Sequence, residues 1–465
     1  MSRIFAAALL ILLIVGGTIG TVMDTVPEIR KSIEIPKGTT AFFDFRLFNS
    51  VVVDSKEGKP LYRIDKTNYF APGSAVYKYP PPYAALLSFD ADRRWRPVAR
   101  RFAIYDLSAL VLTWLLLTVG TLRAPTARAA IPATTTGTNL PWSDPRSGLA
   151  RSIGLLCLLT IWKPFWESLA GIQLEPLFLP LLALAFLALE RGHDWVEGVA
   201  IGASSALKVY PALLGIGPLL ERRWKSIGAG ISAGVVLLAF GAWRFSWGET
   251  WYYVSQVLPK LGGTSLAPEN LSILGRLGSA LVGEITPPKG TQFLPTLESF
   301  GSPADVWSAR IGAFLIVSVL IAITVRVLAP LRREQRGPVR FGLSLPLLLL
   351  VSPTSWFDYQ TLLFVPAAWL FLRLPFEREY RAAWTVLLAS LLPLVLLDAN
   401  AVPRGEEAPL WLTLSRMLGA FGLWAAYVVV AWISRKSTAG SGERHERFDQ
   451  PLGPDRSSGV ARGEV

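Results

Sequence analysis

The sequence predicts an all-α polytopic membrane protein. Half of its 465 residues are hydrophobic, and the mean hydropathy is +0.40. Apolar runs of about 17–24 residues recur along the chain, the length that crosses roughly 30 Å of hydrocarbon. These runs are continuous rather than alternating with period two, which excludes a closed β-barrel. The expectation is a bundle of about 10–12 membrane segments.

The elements follow in order. A first run, 4–22, begins after Arg3 and reads as an anchor, because no small-x-small cleavage site follows it. A long loop, 23–101, comes next. Further runs lie near 103–122, 149–166, 174–190, 195–221, 227–244, 310–330, 341–353, 360–374, 382–399 and 410–433. These runs form one membrane domain over 1–433. The tail 434–465 is polar and rich in Gly and Ser, and reads as disordered.

Charge orients the runs. Arg123, Arg191, Arg222, Arg223, Arg332, Arg333, Arg373 and Arg435 sit at span ends, and the positive-inside rule places them in the cytoplasm. The net charge of +12 therefore reports topology, not nucleic-acid binding. Both termini become cytoplasmic, and 23–101 and 245–309 become long extracytoplasmic loops. Arg93, Arg94, Arg96, Arg100 and Arg101 close the first loop on the outer side, as a solvated juxtamembrane helix or a contact for lipid phosphates. The run 195–221 has basic flanks at both ends, so it crosses an even number of times, yet it is too short for two spans. A broken helical hairpin with "LKVYP" at its tip satisfies both conditions, and Pro211 supports the break. Lys208 then lies at membrane depth, where an ammonium needs a cavity or a counter-charge. One long tilted span is the alternative.

The residues that carry chemistry face outward in this topology. Asp44 sits in "AFFDFRLF", just past the first run, placed to act as a general base toward a hydroxyl. Phe42, Phe43, Phe45 and Phe48 are expected to bury it or dock it on the membrane, with Arg46 as a neighbouring cation; an ordinary surface carboxylate is the plainer reading. Lys78 and Tyr79 belong to "YKYPPPYAALL", a Pro-stiffened aromatic stretch that suits an interface. Gln173 and Glu175 lie at the outer edge of a span, in "GIQLEPLF". Asn270, in "ENLSILGR", starts a formal N-x-S sequon, and Arg276 follows on a short amphipathic helix, suited to hold a phosphate bidentately. Trp356, Asp358 and Tyr359 form a connector suited to sugar stacking, or to an aromatic belt.

Absences narrow the field. The chain has neither a P-loop nor a dinucleotide fingerprint, so an outward-facing enzyme needs an already activated donor carried by lipid. One cysteine, Cys157, and two histidines give no disulfide framework and no Cys- or His-built metal site. No cofactor or metal is expected.

The order and spacing of the D–F pair, "YKYPPPYAALL", "GIQLEPLF", "GVAIGASSALKVYPALL", "ENLSILGR" and "SPTSWFDYQTLLFVP" resemble glycosyltransferase family 87 over most of 40–370. The resemblance implies a GT-C-type helix bundle with juxtamembrane helices in its first outer loop. It also implies a bacterial cytoplasmic-membrane enzyme that moves mannose, another hexose or a pentose from a polyprenyl-phosphate donor to a glycolipid or glycan hydroxyl, with inversion, on the outer face. By position Asp44 matches the family's catalytic acidic residue, Lys208 the lysine of its K-x-x-P stretch, and Arg276 the arginine after its N-x-S. Many members carry His where this chain has Asp358 and Tyr359. A donor of this kind has a good leaving group, so one base suffices where most glycosidases need two carboxylates. Lys208, Arg276 and Lys78 would stabilise the departing phosphate, with Arg46, Tyr79, Gln173, Glu175, Asn270, Trp356, Asp358 and Tyr359 around the substrates. A flippase of lipid-linked sugars is the competing class; its usual sign is an internal repeat, and none stands out. A sugar-polymer ligase is a third.

Overall fold

A computed structural model describes residues 43–62, 77–122, 145–267, 269–283, 285, 296–331, 333–375, 377–397 and 410–448. The first run, 4–22, lies outside the described residues. Among the described residues the chain is helical, and β structure amounts to one isolated bridge between Ser265 and Thr296.

Among its described residues, the first long loop is built of helices. Helix α1 (Phe43–Lys56) buries Phe45, Phe48 and Val52, positions i, i+3 and i+7 of one face. Asp44, off that face, is exposed. The aromatic flank therefore does not bury the carboxylate as expected: the rings turn to the core and leave Asp44 outside. Helix α2 (Pro81–Leu87) begins with prolines where the missing N–H costs nothing. Helix α3 (Trp95–Leu122) starts before the apolar run, so Arg96, Arg100 and Arg101 occupy its first turns rather than the loop.

Helices α4 (Pro145–Thr160) and α5 (Lys163–Gly171) meet at a 50° bend. Helix α6 (Glu175–Arg191) follows, then α7 (Asp194–Leu207). After Lys208 the chain makes a 3₁₀ turn over Tyr210–Gly215 and a short helix α8 (Ile216–Leu220) before α9 (Trp224–Arg244). The run 195–221 thus goes out and comes back. Its far end returns to its start, where Arg223 pairs with Asp194 and, at 2.9 Å, with Glu197. Ser226 donates to the same Glu197 at 3.0 Å. Helices α7 and α9 touch backbone to backbone: a Cβ on Gly202 would collide with the Gly230 carbonyl, and one on Gly198 with that of Ser226.

The rest of the bundle comprises α10 (Ile273–Val282), α11 (Pro303–Leu328), α12 (Arg333–Val351), α13 (Phe364–Arg373), α14 (Arg381–Leu396) and α15 (Leu410–Phe448). Ser302 and Asp305 form a capping box at the start of α11. Among the described residues, five helices are long and apolar enough to cross a membrane, or six when α4 and α5 count as one bent span. The runs at 174–190, 195–221 and 360–374 give shorter helices instead, and 341–353 lies in the 19-residue α12, whose first turns are charged. Prolines interrupt three of those segments, Pro180 in α6, Pro211 after α7, and Pro338 and Pro346 in α12. Helix α15 extends past 434 to Phe448, so the start of the expected disordered tail is helical. Propagation adds one backbone bond per residue once a helix exists, and Arg, Lys, Ala and Glu there sustain it.

Candidate functional site

The site is assembled where helices begin or break. Pro211 cannot continue α7, which therefore ends at Lys208 in an extended conformation (φ −151°, ψ 128°). The ammonium leaves the helix axis and points into the bundle, 8% exposed. It pairs with Glu175, a fully buried carboxylate in the first turn of α6. A helix N-terminus favours negative charge there. Three tyrosine rings surround the ammonium, Tyr359 at 3.9 Å, Tyr79 at 5.1 Å and Tyr210 at 5.5 Å. Tyr210 stacks on Tyr359 with centroids 5.2 Å apart and its hydroxyl donates to Glu175 Oε1 at 3.4 Å. A desolvated cation in such a box gains about 2 kcal/mol from an aromatic face.

Asp44 joins this cluster from α1. Gln173 Nε2 donates to its Oδ2 at 3.3 Å across 129 residues of sequence. The turn that delivers Gln173 is held by Ile172, a buried β-branched residue in the left-handed region (φ 50°, ψ 53°). That conformation is unusual for isoleucine and marks a position fixed by its surroundings. Arg46 does not partner Asp44; its guanidinium lies over the Trp95 ring at 5.2 Å. Residues two apart on a helix point away from each other, so the partner of Asp44 comes from elsewhere in the chain.

Lys78 and Asp358 complete the cluster. Burial pulls the Lys78 ammonium down to about 8, against the opposing pull of the Asp44 charge. Burial pushes the Asp358 carboxyl up to about 8, Glu175 adds to that rise and Lys208 opposes it. Asp44, Lys78, Tyr79, Gln173, Glu175, Lys208, Asp358 and Tyr359 thus share one corner of the bundle.

The remaining candidates hold that corner in place. Asn270 is fully buried and spends its amide on backbone. It donates to Ser265 O (2.8 Å) and Pro353 O (3.2 Å), and accepts from Ser355 N (2.8 Å) and Ser272 N (3.2 Å). Leu271 N donates to Ser355 O at 2.6 Å. These bonds tie the 263–272 loop to the connector carrying Trp356, Asp358 and Tyr359, and Trp356 is half-buried at its start. Arg276 donates to Ala267 O at 2.6 Å on the same loop.

Two features were missed from sequence. Asp106, inside α3, is fully buried, and a carboxylate in an apolar run is a signal the sequence did carry. The other is an apolar groove of about 370 Å³ between α7, the 3₁₀ turn and α9. It extends from Gly198 past Ile201 and Gly202 to Val209, beside Lys208, and reaches Pro80, beside Tyr79. Gly198-x-x-x-Gly202 and Gly230-x-x-x-Gly234 are the sequence trace of the close helix contact that shapes it.

Chemically, the corner offers an exposed carboxylate, two ammonium groups and stacked aromatic rings, with an apolar groove lined by the residues next to Lys208 and Tyr79 in the chain.

The family model of glycosyltransferase family 87 matches residues 77–353. No curated protein matches. Among solved structures, the crystal structure of ArnT from Cupriavidus metallidurans bound to undecaprenyl phosphate is similar at 12% identity. That similarity covers 95% of this chain and 81% of that one, with a TM-score of 0.41. The family match extends over more than half of the sequence, and the chain belongs to glycosyltransferase family 87, as a multi-pass membrane glycosyltransferase.

Proposed function

We propose that this glycosyltransferase moves a hexose, with mannose as the first candidate, from a polyprenyl-phosphate donor to a hydroxyl of a glycolipid or glycan on the outer face of the bacterial cytoplasmic membrane. The observation that carries the reading is the junction of groove and cluster. An apolar channel along α7 is lined as far as Val209, the residue after Lys208, and by Pro80, the residue after Tyr79, and Asp44 lies within electrostatic reach of Lys78 and Asp358 at the same corner. The isoprenoid chain takes the groove and its phosphate meets Lys208 and Lys78. The tyrosine faces of Tyr79, Tyr210 and Tyr359 stack against the sugar.

In this reading Asp44 takes the proton of the acceptor hydroxyl, Gln173 orients the carboxylate, and attack from the face opposite the phosphate inverts the anomeric carbon. Lys208 and Lys78 stabilise the charge that builds on the leaving phosphate, so no general acid is required. Arg276 and Asn270 act through the loop bonded to Ser355, keeping Asp358 and Tyr359 in place.

The test is incubation of purified protein with polyprenyl-phosphate mannose and a glycolipid fraction, following release of polyprenyl phosphate. Acceptor-dependent release is expected, and Asp44→Asn should lower it by about 10²–10⁴-fold while leaving insertion and elution profile unchanged. Movement of the intact donor across a vesicle membrane without bond cleavage would replace the transferase reading with that of a flippase. Near-normal turnover by the variant would remove Asp44 from the mechanism.

A further inference from the structure

Asp106 has a property that the transfer chemistry leaves unexplained. It is 0% exposed inside α3, and neither carboxyl oxygen has a hydrogen-bond partner among the described residues. The Glu175 carboxylate is in a related position. Its Oε1 serves Lys208 and Tyr210, but its Oε2 is buried and equally without a partner. Helix α3 runs beside α6, with Gly120 against Leu187 and its carbonyl accepting from Arg191; by helix rise Asp106 lies as far back along α3 from that contact as Glu175 does along α6, about 20 Å. The two carboxyls act on each other electrostatically, and Tyr83, on α2, lies within reach of both charges.

A bare carboxylate at this depth is costly, and two within electrostatic reach of each other are costlier, so such a pair retains a proton. The proton has one favourable location. Glu175 has Lys208 against it and the α6 N-terminus behind it, both of which favour its charge. Asp106 lies within a helix with no paired cation or donor among the described residues. A protonated Asp106 has a donor to place, and Glu175 Oε2 is an acceptor in need of one.

We infer that Asp106 is a neutral carboxylic acid that supports Glu175 Oε2, directly or through one water, and so allows Lys208 to exchange Glu175 for an incoming phosphate. Asp106 is a positioning residue in this scheme. In the resting site Lys208 is occupied by Glu175. A donor phosphate must displace that carboxylate, and a buried carboxylate left with only the long Tyr210 hydroxyl contact at 3.4 Å resists displacement. The Asp106 O–H is the donor to Oε2 that Glu175 keeps, beside Tyr210 at Oε1, when Lys208 turns away. No bond is made or broken, and the proton stays on Asp106. The inference rests on the polyprenyl-phosphate reading given above.

The experiment measures donor KM and kcat for Asp106→Leu and Asp106→Asn in the full-length protein, each alone and in a Glu175→Gln background. Asp106→Leu should raise the donor KM about tenfold or more, the loss expected when a buried acceptor is orphaned, with a smaller effect on kcat. Asp106→Asn, which keeps a donor and adds no charge, should restore KM to within a few-fold of the wild type. In the Glu175→Gln background Asp106→Leu should add nothing, because no charge remains to support. An independent readout is the infrared difference spectrum of wild type against Asp106→Asn at neutral pH without substrate. It should show a protonated carboxyl C=O band belonging to Asp106. Absence of that band, or an Asn variant as impaired as the Leu variant, would overturn the inference whatever the substrate. An unchanged KM in Asp106→Leu would overturn it with the donor reading intact. Failure of polyprenyl phosphate to stabilise the wild-type protein thermally would overturn the donor reading first, and this inference with it.

Discussion

The two ends of helices α6 and α7 carry similar charges in opposite states. At the end away from the site, Glu197 accepts from Arg340 at 2.6 Å, Arg223 at 2.9 Å and Ser226 at 3.0 Å. Arg340 also reaches Glu221 at 2.5 Å. Glu190, at the same end of α6, accepts from Arg373 at 2.9 Å and from the Trp369 indole at 2.7 Å. At the Lys208 end, about 16 Å along α7 from Glu197 by helix rise, the balance is different. Glu175 Oε2 and both Asp106 oxygens have no partner among the described residues, and Lys208 stands against aromatic rings. Saturated ion networks fix a fold; partly saturated ones leave capacity for a ligand. The same two helices thus have a structural end and a chemical end.

The largest effects should come from removing one cation at each end. Lys208→Gln should lower turnover about 10²–10³-fold, the cost of one preorganised donor to a developing charge, and should lower stability because Glu175 is orphaned. Adding Glu175→Gln should recover the stability and not the turnover. Arg340→Ala should cost roughly 3–5 kcal/mol of stability, as loss of one partner does in a buried pair, while turnover per folded molecule is unchanged. Thermal midpoints and single-substrate kinetics on the same preparations check both. A turnover loss in Arg340→Ala that matches Lys208→Gln would erase the distinction between the ends.

A smaller effect should come from the groove that joins them. A methyl on Gly202 meets the Gly230 carbonyl, which is backbone and cannot rotate away. Gly202→Ala should therefore separate α7 from α9 and destabilise by about 1–3 kcal/mol. Because both helices line the groove, donor KM should rise more than kcat falls. The same substitution at Gly228, where nothing stands within 4 Å, is the control, and equal effects at both positions would detach the groove from the contact.

Much of this architecture was legible in the sequence because membranes impose strong rules. Length and hydropathy specified an all-helical bundle, and the basic flanks of 195–221 favoured a chain that returns over one long tilted span. Asp44, Glu175 and Lys208 could be singled out because charges beside aromatic residues at span ends have few inexpensive settings. Partnerships were less legible. The local pairing of Asp44 with Arg46 ignored that residues two apart diverge on a helix, whereas its bond to Gln173 depends on a tertiary turn at Ile172. Asn270 looked like a substrate contact because its type suits one; the structure commits it to backbone carbonyls and amides of a distant connector. The groove was invisible as a cavity, since hydropathy counts apolar residues without showing where two helices leave a space.

The smallest predicted effect concerns pH and compares Lys78 with Lys208 within the chemical end. Lys208 has a carboxylate in contact, whereas burial leaves Lys78 titrating at about 8, below its ordinary 10.5. If Lys78 helps hold the phosphate, donor affinity should fall a few-fold as pH rises through 8, when its ammonium becomes neutral. Lys78→Arg, which stays charged throughout this range, should flatten that limb; a limb of the same height and midpoint in the variant would assign it to Asp358 instead. Stability moves the other way. Between pH 8 and 10.5 the unfolded chain binds the Lys78 proton and the folded chain does not, so the difference in bound protons favours the fold as pH rises. Donor binding should therefore weaken over the same interval in which this group makes the unliganded protein more stable. A general alkaline unfolding would lower both together, so opposite slopes in a binding titration and a melting series would locate the titration at Lys78.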